Sequence, residues 1–105
     1  MNNLKGKVAF ITGGSKGIGY GVAEALLNQG FKVAITSRSL EAAREAAKEL
    51  ESKGEIIGLE ADVRNYESQQ KAVKAAVDKF GKIDLLVANA GVGKFNSIED
   101  MTPEE

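Results

Sequence analysis

The stretch K-V-A-F-I-T-G-G-S-K-G-I-G, residues 7–19, decides the fold. Its first part, residues 7–12, is a nearly continuous apolar run of strand length, which is typical of a strand buried on both faces. Its second part, residues 13–19, contains four glycines and opens a segment with helical spacing of apolar residues. A buried strand, a glycine-rich turn and a helix in direct succession predict the start of a βαβ unit.

The glycine-rich turn has the composition of an anion-binding loop. We expect Gly13 and Gly14 to let the backbone turn sharply, whereas Gly17 and Gly19 allow close approach to a ligand because they carry no Cβ. The helix that follows would present its N–H groups and positive dipole end to an anion. No Gly-Lys-Ser/Thr occurs, which excludes a Walker-type loop. The alternative is a purely structural turn. The predicted pyrophosphate site comprises Gly13, Ser15, Lys16, Gly17, Ile18 and Gly19.

The rest of the chain repeats the alternation of strands and helices. Helices are predicted over 17–30, 40–53 and 66–80, and further strands over 32–36, 55–61 and 83–88. The predicted inward positions are Ile18, Val22, Ala25 and Leu26 in the first helix, Leu40, Ala43, Ala47 and Leu50 in the second, and Val73, Ala76, Val77 and Phe80 in the third. This pattern predicts an α/β fold, the first half of a Rossmann-type doubly wound parallel sheet with about four strands in the order 3-2-1-4.

Composition excludes several classes of function. The chain has 105 residues, a formal net charge of −1, no cysteine and no histidine. It therefore offers no disulfide, no zinc site of the usual Cys/His kind and no His-based catalytic triad. The charge balance gives no basic field for nucleic acid, and no apolar run approaches the ~20 residues of a membrane span. We expect a cytoplasmic protein with neither nucleic acid nor a membrane as its partner.

Two further motifs follow the predicted strands. D-V (62–63) comes after the third strand and N-A-G (89–91) after the fourth. With T-G-x-x-x-G-x-G at 12–19, the chain resembles the short-chain dehydrogenase/reductase family over its whole length; Ala88 departs from the family's N-N-A-G. The resemblance implies that the first pair contacts the adenine and that the second motif belongs to the cofactor site. The alternatives are a turn-forming aspartate and an Asx cap. The site would then also include Asp62, Val63, Asn89, Ala90 and Gly91.

The resemblance also implies a reaction, which is hydride transfer between a nicotinamide cofactor and a small carbonyl or alcohol substrate. The family uses a Tyr as general acid/base and a Lys four residues later. Tyr20 is followed at that distance by Glu24, and Tyr66 by Gln70, so neither matches. We expect the catalytic residues beyond residue 105 and the chain alone to be inactive. One alternative is a non-catalytic NADP(H)-binding protein or sensor of the same fold. An S-adenosylmethionine-dependent methyltransferase is disfavoured because no acid ends the second strand.

The end of the second strand, T-S-R-S at residues 36–39, predicts the choice of cofactor. An NAD-binding fold places an Asp or Glu here to accept from the ribose 2′-OH, and this stretch contains no carboxylate. Arg38 would instead pair with a 2′-phosphate, which Lys16 would approach from the glycine loop. Ser37 and Ser39 would add hydroxyl donors. The alternative is that both cations are solvated surface charges. We expect NADP(H) to be preferred over NAD(H).

The chain ends in M-T-P-E-E, residues 101–105, which reads as the start of a helix with Thr102 as its cap and Glu105 completing a capping box. In the strand order 3-2-1-4 the fourth strand pairs only with the first, which leaves an apolar edge. We therefore expect residues 1–105 to be an NAD(P)-binding Rossmann domain, incomplete at its C-terminal end. The family resemblance implies a homo-oligomer at full length. The alternative is a complete chain whose edge a partner covers.

Overall fold

A computed structural model describes residues 5–62 and 64–88. The strands are β1 (Val8–Thr12), β2 (Lys32–Ser37), β3 (Ile56–Glu60) and β4 (Leu85–Ala88), and the helices are α1 (Gly17–Asn28), α2 (Leu40–Leu50) and α3 (Tyr66–Phe80). The strands form one sheet in the order β3-β2-β1-β4, and every pair in it is parallel. The predicted α/β class, strand order and half of a doubly wound sheet are confirmed. The predicted helix start at 102–105 lies outside the described residues.

The central strand β1 explains why residues 7–12 read as a continuous apolar run. All its residues are buried, and its Ala9 pairs with Val33 of β2 on one side and Leu85 of β4 on the other. Helices cover both faces of the sheet. On one face, Leu27 of α1 and Leu50 of α2 belong to one apolar cluster. Ala72 and Ala76 of α3 belong to the other cluster. Both faces of β1 therefore require apolar side chains.

The buried face of α1 differs from the prediction. Ile18 was predicted to point inward but is 73% exposed, and Ala25 is exposed as well. The buried residues are Gly19, Ala23 and Leu27, spaced four apart. Half-buried beside them lie Tyr20, Val22 and Leu26. The helix therefore approaches the sheet through two small residues and Leu27, and Ile18 lies outside this contact.

Helix α2 follows its prediction closely, since Ala43, Ala47 and Leu50 are buried and Leu40 is half-buried. Its α-helical part ends at Leu50, and residues 51–53 continue as a 3-10 turn. Helix α2 packs very closely on β3 at Gly58, because a Cβ built there would overlap the backbone of Ala43. This contact fixes the position of α2 above the sheet.

Helix α3 is buried through alanines rather than through valines. Ala76 was predicted to point inward and is buried, as is Ala72. Val73 and Val77 were also predicted inward, but each is 38% exposed. The alanines pack with Phe10 on the sheet, and their small side chains let the helix lie close to it. The valines are turned away from that contact.

Candidate functional site

A cavity of about 610 Å³ opens where β1 and β2 end and α1 and α2 begin. Ligands of open parallel sheets bind outside the carboxyl ends of the strands, and the cavity lies at this edge of the sheet. Within the described part of the chain, the cavity brings together six of the residues predicted from the sequence. They are Gly13, Ser15, Lys16, Ser37, Arg38 and Ser39.

The glycine loop is anchored to the end of β2. The Gly14 N–H donates to the Thr36 carbonyl oxygen at 3.0 Å, and the Gly13 N–H donates to the Thr36 hydroxyl at 3.4 Å. Gly13 and Gly17 have φ values of +70° and +65°, which side chains disfavour. Gly14 lies in the same turn without a positive φ. It is required because a Cβ there would lie 2.6 Å from Cγ2 of Ile35.

The N-terminus of α1 differs from those of the other helices. Lys16 is its N-cap residue, and the side chain makes no capping hydrogen bond. By contrast, Ser39 caps α2 by accepting from the Ala42 N–H at 3.1 Å, and Asn65 caps α3 by accepting from the Ser68 N–H at 3.0 Å. Among the three helices of residues 5–62 and 64–88, α1 alone lacks a side-chain cap. An anion would meet its first N–H groups and the positive end of its dipole.

The connection from β2 to α2 presents donors to the same cavity. Ser37 Oγ accepts from the Ser39 N–H at 3.1 Å, and Ser39 Oγ accepts from the Ala42 N–H. Each hydroxyl oxygen is thereby oriented by the backbone and can still donate its own hydrogen. Arg38 stands between the two serines and is exposed, as is Lys16 of the glycine loop. Both of these cations and both hydroxyls therefore belong to the lining of one cavity.

Sequence reasoning missed the contribution of α2 to the cavity. The missed residues are Ala42, Glu45, Ala46 and Glu49 of α2, together with Ala61 and Arg64. Glu45 and Glu49 are exposed, and their spacing places them on one helical stripe with the two alanines. Tyr20 of α1 donates its hydroxyl to Glu49 Oε1 at 2.9 Å, and this bond raises the pKa of the Tyr20 phenol. Whether this stripe of α2 faces the cavity depends on how α2 packs beside α1.

The Asp62 carboxylate, predicted to face a ligand, is bound by Arg64. Arg64 Nε lies 3.2 Å from Oδ1 and Nη2 lies 3.3 Å from Oδ2, while the Arg64 backbone N–H donates to Oδ1 at 2.9 Å. These hydrogen bonds, helped by the charge of Arg38, hold the pKa of the Asp62 carboxyl below its usual value. Arg64 lines the cavity, whereas Asp62 is not one of its lining residues.

Two other kinds of site were sought among residues 5–62 and 64–88. No cluster of three or more His, Cys, Asp or Glu side chains there is arranged to hold a metal ion. None of the described helices is both long and apolar enough to cross a bilayer.

The sequence profile of the short-chain dehydrogenases matches residues 7–105. The chain belongs to the short-chain dehydrogenase family. An uncharacterized oxidoreductase of Methylorubrum extorquens is 42% identical over 106 aligned residues, which cover 99% of this chain. The chain spans 43% of the length of that relative.

Solved structures of the family share the fold with either dinucleotide bound. L-sorbose reductase from Gluconobacter frateurii, in complex with NADPH and L-sorbose, is 34% identical with a TM-score of 0.80 over 95% of this chain and 39% of that one. A short-chain dehydrogenase/reductase from Burkholderia phymatum in complex with NAD is 34% identical with a TM-score of 0.76, over 82% of this chain and 31% of that one. The fold alone therefore does not determine the cofactor.

The remaining residues predicted from the family motifs lie away from the cavity lining or outside the described chain. Gly17, Ile18 and Gly19 form the first turn of α1 but are not among the residues that line the cavity. Gly19 is buried and Ile18 is exposed. Val63, Asn89, Ala90 and Gly91 lie outside the described residues.

Proposed function

We propose that this chain is the NADP(H)-binding part of an oxidoreductase that transfers hydride between NADP(H) and a small carbonyl or alcohol substrate. One observation carries the proposal, which is that Arg38 and Lys16 line the same cavity beside the uncapped N-terminus of α1. An NAD-specific site would place a carboxylate at the end of β2, and residues 36–39 contain none.

The described residues fit the two charged groups next to the adenosine of the cofactor, which are the pyrophosphate and the 2′-phosphate. The first turn of α1 would hold the pyrophosphate, because its N–H groups have no side-chain cap. Arg38 would pair with the 2′-phosphate through its planar fork, with Lys16 as a second cation. Ser37 and Ser39 would donate their hydroxyls to the same phosphate. When bound, the cofactor supplies the hydride, and the residues of this chain hold the cofactor in position.

The relatives support the reaction class more than the cofactor preference. L-sorbose reductase carries NADPH on this fold, whereas the Burkholderia protein carries NAD. The preference proposed here therefore rests on the two cations of this chain. For the whole protein we propose a homo-oligomer in the cytoplasm, and the family resemblance supports the oligomer.

A second candidate function is NADP(H) binding without catalysis. It is favoured by the sequence around Tyr20 and Tyr66, neither of which has a lysine four residues later. We propose that the catalytic Tyr–Lys pair of the enzyme lies outside residues 1–105. Oxidation of NADPH by the full-length protein in the presence of a panel of ketones would distinguish the enzyme from the sensor.

The cofactor proposal is tested by calorimetric titration of the protein with NADPH and with NADH under identical salt. Two charge-assisted contacts to the 2′-phosphate would favour NADPH by roughly a hundredfold, or less where solvent screens them. Lys74→Gln on α3, outside the cavity, is the control and should leave the ratio unchanged. Equal affinities for the two cofactors would contradict the proposal.

A further inference from the structure

The ion pair of Asp62 and Arg64 lies beside the cations that line the cavity. Arg64 engages both carboxylate oxygens of Asp62, at 3.2 and 3.3 Å. It is also one of the residues that line the cavity, together with Arg38 and Lys16. One edge of its guanidinium is therefore committed to a carboxylate at the rim of a cavity that Lys16 and Arg38 line, together with the two glutamates of α2.

Asp62 lies next to the end of β2 that carries Arg38, because Ser37 pairs with Glu60 and the Ala61 N–H donates to the Ser37 carbonyl oxygen at 2.9 Å. After the Arg64 hydrogen bonds, the charge of Arg38 is a further cause of the low pKa of the Asp62 carboxyl. An unneutralised carboxylate here would compete with a 2′-phosphate for Arg38 and would repel the phosphate directly. The ion pair with Arg64 removes most of that negative charge from the site.

We propose that Arg64 is a specificity-determining residue, because it occupies the Asp62 carboxylate and thereby leaves Arg38 available to the 2′-phosphate. The inference rests on the proposed function, since it concerns the same cavity. Arg64 acts through Asp62 and not on the phosphate itself. It is therefore a positioning residue.

The side chain of Arg64 can be replaced without dismantling the local turn. The backbone N–H of Arg64 donates to Asp62 Oδ1, and that bond survives any substitution except proline. The Asp62 N–H donates to Ser68 Oγ at 3.0 Å, and the Asn65 N–H donates to the Asp62 carbonyl at 2.8 Å. These bonds hold the connection between β3 and α3 independently of the guanidinium.

The test compares two ligands that differ in the 2′-phosphate, which are 2′,5′-ADP and 5′-AMP. Both carry the adenine and the 5′-phosphate, so the ratio of their affinities isolates the 2′-phosphate. The ratio is measured by calorimetry for the unmodified protein, Arg64→Gln, Arg64→Lys, Asp62→Asn and the double variant of Asp62→Asn with Arg64→Gln. A constant salt concentration is required because exposed charges are screened.

We expect Arg64→Gln to lower the preference for 2′,5′-ADP by up to about fivefold, the upper range of a solvated ion pair. Arg64→Lys should retain most of the preference. The double variant should match Asp62→Asn, because without the carboxylate there is nothing for Arg64 to neutralise.

Three results would overturn the inference. One is an unchanged ratio in Arg64→Gln, and another is an equal loss for both ligands, which a structural role would give. The third is a loss that persists in the Asp62→Asn background, which would mean direct contact between Arg64 and the phosphate. If the unmodified protein shows no preference for 2′,5′-ADP, the proposed function fails together with the inference. If the unmodified protein prefers 2′,5′-ADP and Arg64→Gln leaves that preference unchanged, the inference fails and the proposed function stands.

Discussion

Gly58 of β3 lies directly under the backbone of Ala43 in α2, with no room between them for a side chain. This contact seats α2 on the sheet, and the first turn of α2 carries the Ser39 cap at the cavity. A position that tolerates no Cβ therefore lies between the sheet and the helix that lines the site.

We expect Gly58→Ala to lower the free energy of unfolding by about 1–3 kcal/mol, because the overlap involves backbone that must shift as a unit. Gly21 on α1 is the matched control, since a Cβ there meets nothing within 4 Å. Gly21→Ala should be neutral or stabilising by up to about 1 kcal/mol through helix propensity. Urea unfolding of the two variants measures both effects. Equal free energies of unfolding for Gly58→Ala and Gly21→Ala would argue against the close contact between Gly58 and Ala43.

A pH-dependent contribution to stability is expected from Asp84. Its carboxylate accepts from the Val8 N–H at 2.8 Å, and its own N–H donates to the Val8 carbonyl at 2.8 Å. The hydrogen bond from Val8, followed by the ion pair with Lys82, holds the pKa of the Asp84 carboxyl below its usual value of 3.8. The stabilisation is therefore present above the unfolded-state pKa and is lost as the pH falls through the folded-state pKa.

Asp84→Ala should accordingly lower the free energy of unfolding at pH 7. As the pH falls below about 4, the free energies of unfolding of the variant and the unmodified protein should become more similar. Urea unfolding at several values between pH 7 and pH 2.5 gives the difference. Asp78→Ala on the exposed face of α3 serves as the control for removing a carboxylate. A difference between Asp84→Ala and the unmodified protein that stays constant over this range would contradict the assignment.

Substitutions of Ser39 should separate its capping role from its role at the cavity. Ser39→Ala removes the cap of α2 and should cost about 1 kcal/mol. Ser39→Asp keeps a side-chain acceptor and suits the helix dipole, so stability should be retained. The new carboxylate beside Arg38 should nevertheless weaken NADPH binding much more than NADH binding. Ser39→Asn, a neutral cap, is the control. An unchanged cofactor ratio in Ser39→Asp would place the phosphate elsewhere.

The fold was predictable because its signals are local. A strand, a glycine turn and a helix succeed one another within residues 7–19, and the parallel order follows from repeating that unit. The rotation of the helices was less predictable. The sheet is contacted by Gly19 and Ala23 in α1 and by Ala72 in α3, whereas Ile18 and Val73 are exposed. Apolarity alone does not identify which small residues allow a helix to approach the sheet closely.

Within the candidate site, the residues adjacent to strand ends were predictable and those contributed by packing were not. Lys16 and Arg38 follow β1 and β2 directly, where the topology requires them to meet. Glu45 and Glu49 enter the cavity only because α2 lies beside α1. Arg64 had a signal, since it comes two residues after Asp62, but that spacing alone does not predict the contact of its side chain with the Asp62 carboxylate.

The central claim is that Arg38 selects the phosphorylated cofactor, and the most direct measurement is titration of Arg38→Asp with NADPH and NADH beside the unmodified protein. Aspartate at this position would accept from the ribose 2′-OH and repel a 2′-phosphate. We expect tighter binding of NADPH before the substitution, and loss or reversal of that preference after it. Lys74→Gln provides the matched loss of a positive charge outside the cavity. Equal affinities in the unmodified protein, or a preference for NADPH that survives Arg38→Asp, would contradict the account.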